Sequence, residues 1–504
     1  MPYYLYTFWG KARKPFKWHK PISGDMKLFN TLTKQKEEFK PINPNIIKMY
    51  ICGVTVYGNL HMGHIRTYIA YDMMRNYLIH FKGKRVLFVQ NITDVGHIVG
   101  DVDEGEDKIE CKAKIEEKHP MEIVDVYIKN MWKGLDALKC DRPNIAPRAT
   151  GHIVEIIDAV AELIEKGYAY EIEGDVYFDV SKFKNYGSLS GNKIPKLEAG
   201  ARIGINNKKR HPFDFAIWKK AEQGHIMQWT SPWGKGYPGW HIECSVMSTK
   251  YLGSPFDIHG GARELAFPHH ENEIAQSEAL TGKKMVNYWV HTGLLMINGQ
   301  KMAKSTGNFI TIDEALKKHK AGIIRYFILT NHYSAPIDIK PESLDSSKKA
   351  LERINNFISQ IQQETKNVPY NPRIYEELNT LKLKFEDAMD DDFNTPIAIS
   401  YLFDFVSYIN KSLASKEISI NNSKEIIAYF KKINRVFKAF KFGSNKQKGN
   451  NQEIEELIQA RKEARKKGDW NSADKIREKL KEIGIEIIDN KDGSTEYRKT
   501  RAKS

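Results

Sequence analysis

The first regular pattern along the chain is an apolar run at 48–57, KMYICGVTVY, which predicts a buried strand ending at Gly58. A helix is predicted next, because apolar side chains recur at helical spacing: Ile65, Tyr68, Ile69, Met73 and Tyr77. Gly83 ends this helix, and Arg85–Gln90 (RVLFVQ) predicts a second strand. Strand, helix and strand within about forty residues make a βαβ unit, which predicts an α/β fold with a doubly wound parallel sheet.

Beyond this unit the patterning changes several times. Residues 141–225 contain a predicted helix at 153–166 and a predicted hairpin around Gly174, which suggests a domain inserted into the sheet. Helical periodicity dominates 341–440, and two short helices broken at Gly468 precede a final hairpin. The expected order is an extension at 1–27, the first half of the sheet domain at 28–140, the insertion at 141–225, the second half at 226–290, a lysine-loop region at 291–340, a helical bundle at 341–440 and a small α+β unit at 453–504.

The composition indicates the class of protein, and the net charge indicates the kind of partner. With 504 residues, of which 41% are hydrophobic and 28% charged, the chain is typical of a soluble protein of several domains. It lacks a run of about 20 apolar residues and a secretory signal, so we expect a cytoplasmic location and no membrane partner. The net charge of +15 favours a polyanionic partner such as nucleic acid, although a lysine-rich composition alone would give the same charge.

The segment His61-Met62-Gly63-His64 follows the first strand and opens the first helix. A helix N-terminus carries free N–H groups and a partial positive charge, both of which suit phosphate. Gly63 permits a close approach of a nucleotide, and His61 and His64 share one face of the first turn. The pattern alone is weak, and helix capping is the alternative interpretation.

A second basic segment is Lys301-Met302-Ala303-Lys304-Ser305. It lies between Asn298-Gly299 and Gly307-Asn308, so glycines on both sides predict a loop that can close over a ligand. Lys301 and Lys304 could neutralise a triphosphate as negative charge develops. In isolation the segment could equally be a solvated basic turn.

Metal ligands are predicted on a helix that begins near Pro268. His269 and Glu273 are four residues apart and therefore project from one face, and both residue types bind zinc. His270 is expected to point elsewhere and to shape the pocket. Without further ligands, a surface His–Glu pair is the simpler interpretation. Cys52 and Cys244 could complete a tetrahedral site, whereas no role is predicted for the other two cysteines, Cys111 and Cys140.

Together these motifs resemble those of class I cysteinyl-tRNA synthetases, from about Leu28 to Arg498. The histidine and lysine segments are similar to the two signatures shared by all class I synthetases. More specific to the cysteine enzymes are CGVTVY at 52–57, PRAT at 147–150, SPWG at 231–234, GWHIEC at 239–244, DIHGG at 257–261, HHENE at 269–273 and DDDFNTP at 390–396. The sequence departs from the family pattern at Gly58, Ala262 and Ala303, and none of these departures removes a ligand or a lysine.

The resemblance implies a Rossmann-type catalytic domain and assigns its site residues. One zinc ion would be held by Cys52, Cys244, His269 and Glu273. ATP with Mg²⁺ would be bound, and its reaction promoted, by His61, Gly63, His64, Lys301 and Lys304. The cysteine pocket would include Thr55, Trp240 and His259. No editing activity is expected of the insertion, because zinc distinguishes a thiol from the hydroxyl of serine, which an apolar pocket does poorly.

The implied reaction consumes ATP, L-cysteine and tRNA(Cys) through a cysteinyl-adenylate, in a chain expected to be a monomer. The helical bundle would contact the tRNA stem, and the C-terminal unit would be an anticodon-binding domain with Arg465, Trp470, Asp474 and Asp489 as candidate readers. Trp470 could instead anchor a small core. Two alternatives remain open at this point: a ligase that joins cysteine to a small amine, and a non-catalytic RNA-binding relative.

Overall fold

The computed structural model describes residues 26–99, 105–192, 209–302, 308–363, 367–443, 456–465, 467–482, 485–489 and 495–499. Residues 1–25 of the predicted extension, and Ala303 and Lys304 of the lysine loop, lie outside this range. The chain forms two compact units, residues 1–440 and 441–504, which are described separately below.

Strands and helices alternate in the first unit as the sequence predicts. The strands are β1 (Lys27–Asn30), β2 (Gln35–Glu38), β3 (Ile46–Ile51), β4 (Arg85–Gln90), β5 (Ala169–Ile172), β6 (Asp175–Phe178), β7 (Phe215–Lys220), β8 (Trp229–Ser231), β9 (Gly234–Pro238), β10 (Phe256–Ala262), β11 (Val286–Thr292), β12 (Leu295–Ile297), β13 (Gln300–Lys301) and β14 (Ile337–Ile339). The helices are α1 (Met62–His80), α2 (Lys108–Glu116), α3 (Pro120–Ala137), α4 (Ile153–Glu165), α5 (Trp240–Leu252), α6 (His269–Thr281), α7 (Ile312–Lys318), α8 (Ala321–Leu329), α9 (Ser343–Gln363), α10 (Pro372–Asp390), α11 (Thr395–Ala414) and α12 (Ile420–Phe437).

The predicted βαβ unit is β3–α1–β4, and it belongs to a parallel sheet in the order β11–β10–β3–β4. The strands are buried on both faces, as expected where helices cover a parallel sheet. Such sheets bind ligands outside the carboxyl ends of their strands. Here Cys52 and the loop after Gln90 lie at that edge. The parallel sheet and the α/β class are therefore confirmed.

The insertion forms a separate antiparallel sheet in the order β5–β6–β7–β9–β8. Its first hairpin turns at Gly174, as predicted, and helix α4 packs beside it. The sheet continues to Pro238, so its last two strands lie beyond residue 225, where the sequence analysis ends the insertion. Buried Glu271 on α6 accepts backbone hydrogen bonds from Gly187 (2.9 Å) and Ser190 (2.8 Å), which fastens the insertion to the sheet domain.

A buried ion network joins helix α1 to the helical bundle. Arg325 on α8 is fully buried and donates to Asp72 Oδ2 on α1 at 2.7 Å and to the carbonyl of Phe437 at 2.8 Å. Lys438 donates to Asp72 Oδ1 at 2.9 Å and to Asp141 at 2.6 Å. The helix that opens with the histidine motif is therefore held at its middle by charges from the bundle.

In the second unit, helices α13 (456–465) and α14 (Trp470–Glu482) precede an antiparallel hairpin of β15 (Ile485–Asp489) and β16 (Thr495–Lys499). The break at Gly468, whose φ is +73°, and the hairpin both match the sequence prediction. A small core is made of Leu480, Ile485 and Ile487.

Replacement of Arg325 by Met should lower the free energy of unfolding by about 3 kcal/mol, because it leaves Asp72 buried with fewer partners. The matched control is Lys36→Met, which breaks a surface pair with Asp391 whose side chains are 40% and 50% exposed. That loss should stay below about 1 kcal/mol. Urea unfolding of the full chain measures both, and equal losses would contradict the role given to the network.

Candidate active site and metal centre

Three elements bring the predicted zinc ligands together. Cys52 directly follows β3, Cys244 lies near the start of α5, and His269 and Glu273 occupy the first two turns of α6. The Cys52 Sγ atom lies 3.9 Å from Cys244 Sγ and 3.3 Å from Glu273 Oε1, and His269 Nε2 lies 3.0 Å from the same Glu273 oxygen. All four side chains are buried. The structure thus places the four predicted ligands in one cluster.

Negative charge concentrates in this cluster. Burial raises the pKa of the Cys244 thiol, but its contacts with Cys52 and His269 outweigh burial and lower that pKa to about 6. Burial also opposes ionisation of Glu273, yet His259 and His269 hold the pKa of this carboxyl well below its usual range. Burial would lower the pKa of His269, but Glu273 and Cys244 raise it to about 10. Two buried anionic donors therefore attract positive charge, as the ligands of a divalent metal must.

Other histidines orient these ligands. His241 Nδ1 lies 2.8 Å from His269 Nδ1, which directs the Nε2 atom of His269 into the cluster. His259 Nε2 lies 2.7 Å from Glu273 Oε2, and His259 is fully buried against the ring of Trp289. Metal ligands are commonly fixed by such outer hydrogen bonds. His259 thus contacts a predicted ligand, and its place in the cysteine pocket stays a prediction.

His270 differs from expectation. The sequence analysis directs this side chain away from the cluster, but its Nε2 lies 3.3 Å from Cys52 Sγ. Among the described residues, the side chains whose ligand atoms all lie within 4.8 Å of one another are Cys52, His269, His270 and Glu273, a set that contains His270 and not Cys244. The Nδ1 atom of His270 pairs with His291 Nε2 at 2.7 Å. Burial lowers the pKa of His270 well below its usual value, so His270 is a neutral imidazole and a further candidate ligand.

Trp240 and Thr55 lie beside the cluster and are half-buried. The Trp240 ring stacks on the His269 ring, with centroids 4.2 Å apart, so it forms a wall next to a predicted ligand. The other face of Trp240 stacks on His97, which also contacts the Thr55 hydroxyl. His97 is missing from the sequence analysis. The available signal was its position in the loop after β4, at the ligand-binding edge of the sheet.

The histidine motif forms the N-terminus of α1. His61 is the N-cap, and its Nδ1 accepts from the Gly63 N–H at 3.1 Å, while His64 Nδ1 accepts from the His61 N–H at 3.4 Å. In the neutral rings each proton therefore resides on Nε2, which makes both side chains donors at that atom. The two rings stack with centroids 3.6 Å apart. This arrangement suits binding of phosphate oxygens, as predicted for this motif.

The described part of the lysine loop approaches this motif. The Met62 N–H donates to the Ile310 carbonyl at 3.0 Å, and a β-carbon on Gly63 would lie 3.3 Å from Met302 Cε. Lys301 pairs with Glu264 and is largely exposed. Lys304 and the departure at Ala303 lie outside the described residues. The two basic segments are thus neighbours, although only one of the two predicted lysines is described.

The candidate anticodon readers lie in the second unit. Trp470 is 62% exposed, so it is not the core anchor that the sequence left as an alternative. The Arg465 guanidinium lies 6.0 Å from the centroid of the Trp470 ring. Asp474 is exposed on α14, the helix that begins at Trp470. Asp489 ends strand β15, and its side chain lies outside the described atoms.

Comparisons with known proteins show which families the regions of this chain match. The model of the class I (C) tRNA synthetase catalytic domain matches residues 38–349, the DALR domain matches 384–441, and the cysteinyl-tRNA ligase anticodon binding domain matches 449–498. The chain belongs to the cysteine–tRNA ligase family. Relatives named cysteine–tRNA ligase include one from Chlorobaculum tepidum, 44% identical over 483 residues, and one from Thermococcus onnurineus, 45% identical over 479 residues. Each alignment covers 93% of this chain and 98% of the relative.

Solved structures agree on the fold of this family. Methionyl-tRNA synthetase from Mycobacterium tuberculosis, in complex with methionyl-adenylate, superposes with a TM-score of 0.56 at 12% identity, covering 78% of this chain and 89% of that chain. LeuRS from Agrobacterium radiobacter, in a ternary complex with tRNA and LeuAMS, gives a TM-score of 0.56 at 12% identity, covering 80% of this chain and 85% of that chain. These likenesses establish the class I fold. None of the helices in the described part of the chain has the length and apolar character of a membrane span.

Proposed function

We propose that the buried cysteine–histidine–glutamate cluster holds one zinc ion, which selects cysteine for ligation to tRNA. The chain is a class I cysteine–tRNA ligase, which uses ATP to join L-cysteine to tRNA(Cys). The observation that carries the zinc proposal is the convergence of two thiols, an imidazole and a carboxylate from β3, α5 and α6. The proposed ligands are Cys52, Cys244, His269 and Glu273, with His270 beside them.

The donor set fits zinc. Sulfur, imidazole and carboxylate are its usual ligands, and all four proposed ligand side chains are buried. The His269 Nε2 atom is buried and lies 3.0 Å from Glu273 Oε1, so it faces another proposed ligand, as expected of an atom that shares a metal with it. When bound, zinc would hold the substrate sulfur as a thiolate, which the hydroxyl of serine cannot match at neutral pH.

Activation of cysteine requires binding of ATP and Mg²⁺ at the other side of the site. His61 and His64 present Nε2 donors at the N-terminus of α1, where the helix also favours an anion. The cysteine carboxylate attacks the α-phosphorus of ATP, which forms the adenylate and releases diphosphate. Lys301 and Lys304 would balance the developing charge, so positioning and electrostatics account for the step without a covalent nucleophile.

Transfer to tRNA uses the remaining parts of the chain. The terminal ribose hydroxyl of tRNA attacks the adenylate and releases AMP. The bundle, including the DALR domain, would contact the tRNA stem, and exposed Trp470 with Arg465 would stack on or contact anticodon bases. We further propose that the enzyme acts as a monomer in the cytoplasm, because the proposed zinc ligands and the described nucleotide-binding residues all come from one chain.

Zinc binding predicts the behaviour of Cys244→Ser. This variant should retain less than about a tenth of the wild-type zinc, because a soft ligand is lost, and its cysteine-dependent exchange of diphosphate into ATP should fall at least about a hundredfold. Atomic emission spectroscopy measures the metal. Half-exposed Cys111, which lies outside the cluster, gives the matched control Cys111→Ser. Full zinc and undiminished preference for cysteine over serine in Cys244→Ser would contradict the proposal.

The nucleotide site predicts the effect of Gly63→Ala. A β-carbon there would lie 3.0 Å from the His61 ring, so it would displace that ring and obstruct the phosphate. The KM for ATP should rise about tenfold or more, while the zinc content stays at wild type. In the control Gly151→Ala, the new methyl group meets open space. An unchanged KM for ATP in Gly63→Ala would remove His61 and Gly63 from the proposed site.

Recognition of tRNA predicts a selective loss in Trp470→Ala. Stacking on a base contributes about 1–3 kcal/mol, so the KM for tRNA should rise about five- to a hundredfold. Cysteine-dependent diphosphate exchange, which needs no tRNA, serves as the internal control and should not change. A variant that charges tRNA with wild-type KM would show that Trp470 does not contact the anticodon.

A further inference from the structure

His97 connects two residues of the predicted cysteine pocket. Its ring stacks on Trp240 with centroids 3.8 Å apart and planes at 16°, and its Nδ1 contacts the Thr55 hydroxyl. Its Nε2 lies 2.7 Å from Lys108 Nζ. His97 itself is buried, whereas Thr55, Trp240 and Lys108 are half-buried and can reach a ligand.

The hydrogen bonds of His97 have a defined direction. A lysine ammonium has donors and no acceptor, so Lys108 must donate to Nε2 of a neutral His97 ring. The ring proton then resides on Nδ1, and His97 must donate it to the Thr55 oxygen. Thr55 accepts this bond, which leaves its own hydroxyl proton to be donated elsewhere. Lys108 therefore determines which nitrogen of His97 carries the proton, and this makes the Thr55 oxygen the acceptor of the bond between His97 and Thr55.

We infer that His97 and Lys108 are positioning residues that orient the Thr55 hydroxyl as a donor to the carboxylate of the bound cysteine. This inference rests on the proposed function, in which Thr55 and Trp240 contact cysteine. The carboxylate is the acceptor on the amino acid, since its ammonium group can only donate. If the ring proton were on Nε2, Thr55 would donate to His97, and its oxygen would face the substrate only as an acceptor.

The span between Thr55 and the metal cluster fits this role. Thr55 follows Cys52 by three residues, so the two α-carbons are at most about 10 Å apart. In the proposed pose, the sulfur of cysteine lies near the Cys52 thiol and its carboxylate lies toward Thr55. His97, Trp240 and the predicted ligand His269 form a stack of three rings. The same histidine therefore supports both the wall of the pocket and the hydroxyl at its end.

The backbone holds His97 in this place. The Asp107 carboxylate accepts from the His97 N–H at 3.1 Å, and the His97 carbonyl accepts from the Lys108 N–H at 2.8 Å. Gly96 has a φ of +77°, and a β-carbon there would lie 2.4 Å from the Pro238 carbonyl oxygen. The loop after β4 and the start of α2 thus fix the pair before substrate arrives.

The test measures the KM for cysteine and for ATP in cysteine-dependent diphosphate exchange with the full chain. His97→Phe keeps a ring on Trp240 but removes both hydrogen bonds, so the KM for cysteine should rise about tenfold and the KM for ATP less than about twofold. His97→Asn can still donate to Thr55 and should recover most of the loss. His225, which stacks on Tyr237 with centroids 4.3 Å apart, gives the matched control His225→Phe, expected at wild-type values.

A double-variant cycle separates positioning from a structural effect. In a Thr55→Val background, His97→Phe should cause no further rise in the KM for cysteine, because it acts through the missing hydroxyl. Lys108→Met should raise this KM about threefold and provides a second probe if His97→Phe folds poorly. A wild-type KM for cysteine in either variant, or additive effects in the double variant, would overturn the inference.

The wild type distinguishes this outcome from failure of the proposed function. If the wild-type chain contains zinc and shows cysteine-dependent exchange, an unchanged His97→Phe enzyme contradicts only the positioning role. If the wild type lacks either property, the proposed zinc selection fails first, and the inference fails with it.

Discussion

The proposed metal site depends on the burial of two anionic side chains, Cys244 and Glu273, which helices α5 and α6 bring next to the end of strand β3. Burial opposes the ionisation of Cys244 and Glu273, but Cys52 and His269 lower the pKa of Cys244, and His259 and His269 lower the pKa of Glu273. His259 and His241 hold Glu273 and His269 from behind, and the protein thus meets the cost of buried charge with hydrogen bonds in place of water. These contacts exist only when helices α5 and α6 pack against β3 and β10. The proposed metal site therefore forms only when the catalytic domain folds.

Much of this arrangement could be predicted from the sequence. The spacing of His269 and Glu273 puts both on one helix face. The strand predicted to run to Gly58 ends at Ile51, and this earlier end puts the Cys52 thiol at the ligand-binding edge of the sheet. The direction of His270 was missed because helix α6 is buried from His269 to Ser277, so a neighbouring residue also faces protein and not solvent. Its partners, Cys52 and His291, come from strands distant in the sequence.

Long-range pairing explains the other differences. Strands β8 and β9 are short, and β9 contains two glycines; only the pairing of β9 with β7 and of β8 with β9 assigns them to the insertion. The Asp72–Arg325 ion pair joins residues 253 positions apart, and His97 acquires its role from Thr55, Lys108 and Trp240. Local patterns predict elements and faces, whereas such contacts depend on how the elements pack. Trp470 shows the same limit, because its exposure follows from a core built by other residues.

The most direct test of zinc selection is X-ray absorption at the zinc edge of the purified wild-type chain, with and without cysteine. The proposed ligands supply two sulfur atoms, so cysteine should add a third at a zinc–sulfur distance of about 2.3 Å, and serine should leave the spectrum unchanged. A zinc environment that is the same with cysteine as without it would contradict selection of the amino acid through its sulfur.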